Sequence, residues 1–259
     1  MKGIPGYEHI PGRYGVEIER TEVGTSTFIA LRPDLTDADG SLRLAAVLMG
    51  IDMGAGLAAG MAVVPGWTVT ADIETRIVGR CTVGPLRVDS RAIKPGRTMS
   101  VVESRVVDAG ADDALVALST ANHGVLEPTF TDDLQVMPVG GRRVFTPPLE
   151  PGDSLEGYFG VDLDADELRI EIGDRTRNPW GILHGGLSGM LMEQAARRAG
   201  VAEPTDLVVR YLRAVKEGPG VVRVVETVDR GDTRLVRLEL VDAGTDRVAV
   251  VATVGGRRA

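Results

Sequence analysis

The chain has 259 residues, of which 43% are hydrophobic and 25% charged, with a mean hydropathy close to zero at +0.04; this is the balance of a soluble globular protein, long enough for one large domain or two small ones. A net charge of −8 and a pI near 5.0 exclude a broad basic face, and with it general binding to nucleic-acid phosphates. The single cysteine, Cys81, excludes an internal disulfide and fits a reducing compartment, so a cytoplasmic location is expected.

The first fifteen residues, MKGIPGYEHIPGRYG, carry proline and glycine where a signal peptide needs an apolar run, so secretion is not expected. A strand pair is predicted over 16–31, and one apolar helix over 42–61. The run 44–64, which overlaps this helix, has membrane-spanning length, with Gly50, Gly54, Gly56 and Gly60 at small-xxx-small spacing. Asp52 near its centre, its Ala and Gly content and the lack of a flanking basic cluster speak against a membrane span. A helix buried on all sides of a soluble core fits better. Strands are expected over 68–77, 84–93, 100–108 and 115–121. Residues 127–156, rich in Pro, Gly and Asp, read as a linker. Beyond it, a second strand pair is predicted over 161–172 and a second helix over 183–200. β-branched alternation marks strands at 221–228 and 235–241.

The two series of elements are copies of each other. A shift of 141 places Gly40 on Gly181, Leu42 on Leu183 and Asp52 on Glu193. A shift of 134 then places Asp72 on Asp206, Arg76 on Arg210 and Gly84-Pro85 on Gly218-Pro219. It also carries Val107-Asp108-Ala109-Gly110 onto Val241-Asp242-Ala243-Gly244. Upstream, Tyr14-Gly15-Val16 resembles Phe159-Gly160-Val161. Collinear matches separated by small indels predict two homologous domains, 1–126 and 157–259, joined by the linker 127–156. Each is an α+β unit, a long antiparallel sheet curved around one helix.

Asn178-Pro-Trp-Gly-Ile-Leu-His184-Gly185-Gly186, followed by Glu193, resembles the HGG motif of hotdog-fold acyl-CoA thioesterases of the phenylacetate-pathway type. In that family an Asn precedes the His by six residues and a carboxylate follows it by nine, and both spacings hold here. The resemblance implies two hotdog domains in tandem, paired within one chain, and hydrolysis of an acyl-CoA. Coenzyme A would enter as part of the substrate; no metal and no separate cofactor is implied. Pairing of chains through their sheets into a homo-oligomer is common in the family and is open here.

The residue types suit this chemistry. At the start of a helix, unsatisfied N–H groups and the positive dipole end allow the Gly185 amide to polarise a thioester carbonyl, and glycine at 185 and 186 lets the substrate approach the backbone. Asn178 is expected to hold the attacking water or the carbonyl, and His184 to orient the thioester or assist departure of sulfur. A carboxylate must act as general base or nucleophile. Glu193 is the obvious candidate, yet nine helical residues put it about 13 Å along the axis from His184.

In the family the helix start and the carboxylate come from different hotdogs. Carried over through the repeat, Asn178, His184 and Gly185 would face Asp52, a carboxylate poorly explained as structure in so apolar a helix. Thr70 would supply an accompanying hydroxyl. The reciprocal set, Asp37, Arg43 and Leu44 with Glu193 and Pro204, lacks the Asn, the His, the Gly and the hydroxyl, so one working site is expected. Arg43 is expected at a CoA phosphate or an acidic neighbour. Arg210, Arg213 and Arg230 are candidates for CoA phosphates, with a solvated position as the alternative. His9 and His123 are expected at the surface or at strand ends. Two rival readings are a hotdog hydratase or dehydratase, whose Asp and His five residues apart are not visible, and a non-catalytic acyl-CoA sensor.

Overall fold

The computed structural model describes residues 9–127, 135–145, 154–178 and 180–259. In chain order they form α1 (His9–Tyr14), β1 (Val16–Arg20), β2 (Thr25–Ile29), α2 (Leu44–Ala62), β3 (Trp67–Ile77), β4 (Leu86–Lys94), β5 (Met99–Asp108), β6 (Ala114–Leu126) and β7 (Arg142–Val144). The second series is α3 (Leu155–Tyr158), β8 (Arg169–Ile170), α4 (Gly185–Arg198), β9 (Val201–Tyr211), β10 (Gly220–Arg230), β11 (Thr233–Asp242) and β12 (Arg247–Arg258). All twelve strands lie in one antiparallel sheet, ordered β7-β1-β2-β4-β5-β6-β3-β9-β12-β11-β10-β8.

The register at the middle of the sheet carries the internal repeat. Strand β3 pairs with β9, and Glu74 stands opposite Val208, the residue 134 positions later in the chain. Equivalent residues face each other there, so a pseudo-twofold axis passes between them. The loops before β4 and β10 repeat a second device. Asp108 accepts the N–H groups of Thr82, Val83 and Gly84 at 2.8, 2.9 and 2.7 Å. Its counterpart Asp242 accepts those of Lys216, Glu217 and Gly218 at 2.9, 3.2 and 2.9 Å. Tyr14-Gly15 and Phe159-Gly160 each end a short helix on a glycine with positive φ, 65° and 72°.

Helices α2 and α4 fill the concave side of the sheet and pack on one another. A Cβ on Gly186 would stand 2.4 Å from Met49 Cε, and one on Gly189 would stand 3.0 Å from a Leu48 methyl, so these glycines set the close approach of the two helices. Helix α2 is long and apolar enough to cross a membrane, but most of it is buried inside the protein. Its glycines also meet the sheet: a Cβ on Gly54 would fall 2.7 Å from Thr27 Oγ1.

Two expectations are corrected. The strand pair predicted over 161–172 reduces to β8, two residues long, because Asp162, Asp164, Asp166 and Glu167 fill a polar loop rather than an alternating strand. The stretch 127–156 is not featureless where it is described. Strand β7 extends the sheet beside β1, pairing Glu17 with Val144, and Phe145 and Leu155 are buried. Residues 128–134 and 146–153 of that stretch lie outside the described residues.

Candidate active site

Strand β3 alternates beyond Asp72. Ile73 and Thr75 face the helices, and without an irregularity Thr70 would face away from them. A bulge between Thr70 and Asp72 inserts one extra residue, so that Thr70 pairs with His123 and Asp72 with Asn122. The parity changes there, and Thr70 turns inward. Its Oγ1 donates to Asp52 Oδ1 at 2.9 Å. The other carboxylate oxygen, Oδ2, lies 3.7 Å from His184 Nδ1 and would lie 3.2 Å from a Cβ on Gly185. The first half thus delivers a carboxylate to the start of α4 in the second half.

His184 is the N-cap of α4. Its Nδ1 accepts the Gly186 N–H at 3.1 Å, so the approach to Asp52 is a close contact and not a second hydrogen bond at that atom. Burial holds the imidazole below its usual pKa despite the opposing pull of Asp52, which keeps it neutral at pH 7. The Gly185 N–H belongs to the first helical turn, where no acceptor exists within the helix. Asn178 Oδ1 is committed to its own loop, accepting from the Trp180 and Ile182 N–H groups at 2.9 and 3.3 Å. That leaves the Nδ2 end as the donor for a ligand oxygen.

These groups line a cavity of about 450 Å³. Asp52, Gly56, Gly60, Trp67, Thr70 and His123 contribute from the first half. Asn178, Trp180, His184, Gly185, Tyr211 and Arg213 contribute from the second. Trp67 and Trp180 meet edge to face there, with centroids 5.4 Å apart.

The remaining candidates go elsewhere. Glu193 is fully buried at the opposite helix start, where it accepts from Arg43 at 3.0 Å, from the Leu44 N–H at 3.1 Å and from Arg197 at 3.2 Å. Arg43 is itself buried between Glu193 and Glu156, so the acidic neighbour is realised and its charge is taken up inside the protein. Arg210 stands on the outer face of the sheet, opposite Asp72 and 3.7 Å from it. Arg230 ends β10 in solvent. Neither lines the cavity, whereas Arg213 does.

Two residues of the site escaped the sequence reading. Tyr211 ends β9, and its hydroxyl donates to the Gly185 carbonyl at 3.0 Å. Burial, reinforced by Asp52, raises its pKa and keeps the hydroxyl protonated. The alternation Leu207, Val209, Tyr211 already pointed it inward. His123, expected at a surface or strand end, is instead 1% exposed in the cavity wall. The series Ala117, Ser119, Ala121, His123 was the available signal.

Comparison with known structures agrees with this architecture over nearly the whole chain. A candidate thioesterase II from Thermobifida fusca YX superposes with a TM-score of 0.63 at 14% identity, covering 99% of each chain. A candidate oleoyl thioesterase from Lactobacillus plantarum gives 0.61 at 13% identity, over 95% of this chain and 98% of that one. A conserved protein with a hot dog fold from Alicyclobacillus acidocaldarius gives 0.60 at 10% identity, over 96% and 97%. At such identities the likeness is one of fold, and the fold is a double hotdog.

A finer finding concerns the second half alone. Residues 174–255, which include Asn178, His184, Gly185 and α4, match the family model described as the acyl-CoA thioesterase N-terminal domain. That match, together with the fold, supports a thioester hydrolase. No curated protein matches the chain in sequence.

Proposed function

We infer that the protein is an acyl-CoA thioesterase of the HGG type, with one composite site between its two halves. The observation that carries this reading is the 3.7 Å approach of Asp52 to His184 across the two helices, at the edge of a shared cavity. The thioester carbonyl oxygen accepts from the Gly185 N–H at the positive end of α4. Asn178 Nδ2 holds the carbonyl or the water. Asp52, steadied by Thr70, takes a proton from water as its oxygen bonds to the carbonyl carbon; the tetrahedral intermediate then expels the thiolate, which recovers the proton. An alkyl thiol, with a pKa near about 8.5, needs little acid assistance in leaving. Neutral His184 borders the carbonyl and caps the helix that polarises it.

The reading requires no metal and no cofactor beyond the coenzyme A carried by the substrate. Arg213, of the four arginines considered, is best placed for a CoA phosphate. A reducing compartment suits a chain with one buried thiol. Pairing of two chains through exposed sheet surface belongs to the same proposal and is read by sedimentation.

The test is thiol release from a panel of acyl-CoAs. Turnover by the wild type is expected, with Asp52→Asn reducing kcat/KM by about 10³-fold, within the usual range for a general base. Tight acyl-CoA binding without turnover would replace this reading with that of a non-catalytic binding protein.

A further inference from the structure

The cavity continues along α2 beyond Asp52, past Gly56 to Gly60. Four residues of helix advance about 6 Å, so Gly56 lies one turn beyond the carboxylate. A Cβ on Gly56 would stand 4.0 Å from His123 Nε2. The imidazole therefore faces the groove left by this glycine, one turn deeper than the reacting centre. His123 is 1% exposed, and neither Nδ1 nor Nε2 has a hydrogen-bond partner. Burial pushes its pKa down against the pull of Asp52 and Asp72, so the ring presents one N–H donor and one bare nitrogen acceptor. Further along, Gln135 faces Gly60, where a Cβ would stand 3.0 Å from Nε2. A plain alkyl chain in this groove would leave the ring nitrogens dry and unpaired, which is unfavourable.

We propose that His123 is a specificity-determining residue that hydrogen-bonds an oxygen on the acyl chain, so that the preferred substrates are hydroxyacyl thioesters with the hydroxyl a few carbons from the carbonyl. A hydroxyl suits the imidazole because it can accept from the N–H or donate to the bare nitrogen. The distance also fits: an extended acyl chain advances about 1.3 Å per carbon, so a carbonyl carbon held beside Asp52 puts about the fifth and sixth acyl carbons near Gly56. This inference rests on the thioesterase reading and deepens it by naming the acyl class.

The test compares hexanoyl-CoA with 5-hydroxyhexanoyl-CoA in the wild type, His123→Leu and His123→Gln. The expected wild-type preference in kcat/KM for the hydroxyacyl substrate is at least about tenfold, as for sites built to pair a substrate hydroxyl. His123→Leu should abolish or invert the ratio of the two kcat/KM values, and His123→Gln should retain part of it. Equal wild-type rates on the two substrates would overturn the inference while leaving the thioesterase reading intact. Equal loss on both substrates in both variants would also overturn it, placing His123 in the chemistry or the scaffold. Calorimetric titration of the same pair onto Asp52→Asn reads the preference without turnover. Absence of hydrolysis by the wild type would fail the thioesterase reading, and equal affinities would fail this one.

Discussion

The starts of α2 and α4 are equivalent by the internal repeat, and they use a carboxylate from the opposite helix in opposite ways. At α2, Glu193 reaches the Leu44 N–H at 3.1 Å and binds Arg43 at 3.0 Å, so amide, cation and anion satisfy one another. At α4 the corresponding carboxylate is Asp52, one methylene shorter. It stops beside Gly185 and is held from behind by Thr70. Histidine replaces the arginine, glycine replaces the leucine, and a cavity opens where the other end is sealed. One methylene and four substitutions, Asp37 to Asn178, Arg43 to His184, Leu44 to Gly185 and Pro204 to Thr70, separate a closed structural clamp from a helix start that can take a substrate oxygen.

The sharpest way to break this comparison is to neutralise the two carboxylates separately. Asp52→Asn should lower kcat/KM by about 10³-fold, roughly 4 kcal/mol of barrier, with little loss of stability. Glu193→Gln should do the reverse. It disrupts a buried ion pair, so unfolding in urea should show a loss of about 3 kcal/mol, toward the low end for such pairs because Arg43 keeps Glu156. Its kcat/KM should stay within about fivefold of the wild type at a temperature where both are folded. An inactive Glu193→Gln beside an active Asp52→Asn would move the working site to the other helix start.

Smaller effects should follow from the groups that steady the open end. Thr70→Val removes a hydrogen bond to a charged acceptor and should cost about tenfold in kcat. Tyr211→Phe frees the Gly185 carbonyl and should cost about fivefold, chiefly in kcat, as the first turn of α4 loosens. An unchanged kcat in both variants would mean that the carboxylate and the helix start are positioned by packing alone.

The depth to which this arrangement could be read from the sequence varied with the origin of each residue. Asn178, His184 and Gly185 lie close together in the chain, at a helix start that glycine and histidine mark. Asp52 needed the repeat, because only the equivalence with Glu193 shows which carboxylate crosses to which helix. Thr70 needed the family resemblance, two positions before the Asp72-Ile73 pair, and its inward direction depends on the bulge at Ala71, which no periodicity reveals. His123 and Tyr211 arrive on β6 and β9 from remote positions, and their roles follow from strand register around a curved sheet. Arg43 was misleading as a substrate contact because its second partner, Glu156, sits in a stretch whose composition resembled a linker.

The gentlest test uses pH, and it separates the open end from the scaffold. His123 and His184 are both held by burial below the usual value of 6.5. The unfolded chain therefore binds more protons than the folded one once the pH drops below about 6.5, and stability falls from there until the depressed folded values are passed. The scaffold carboxylates Asp108 and Asp242 behave differently. Burial raises their pKa, but the backbone N–H groups they accept outweigh it, and the net shift is downward from 3.8. Their contribution is complete above about pH 4 and is lost only as the pH falls through the folded values. Between pH 7 and 5 the melting temperature of the wild type should fall relative to that of His123→Leu, because the variant lacks one of the two buried imidazoles that oppose protonation. Parallel curves across that window would mean that His123 is already protonated, or reaches water, in the folded protein.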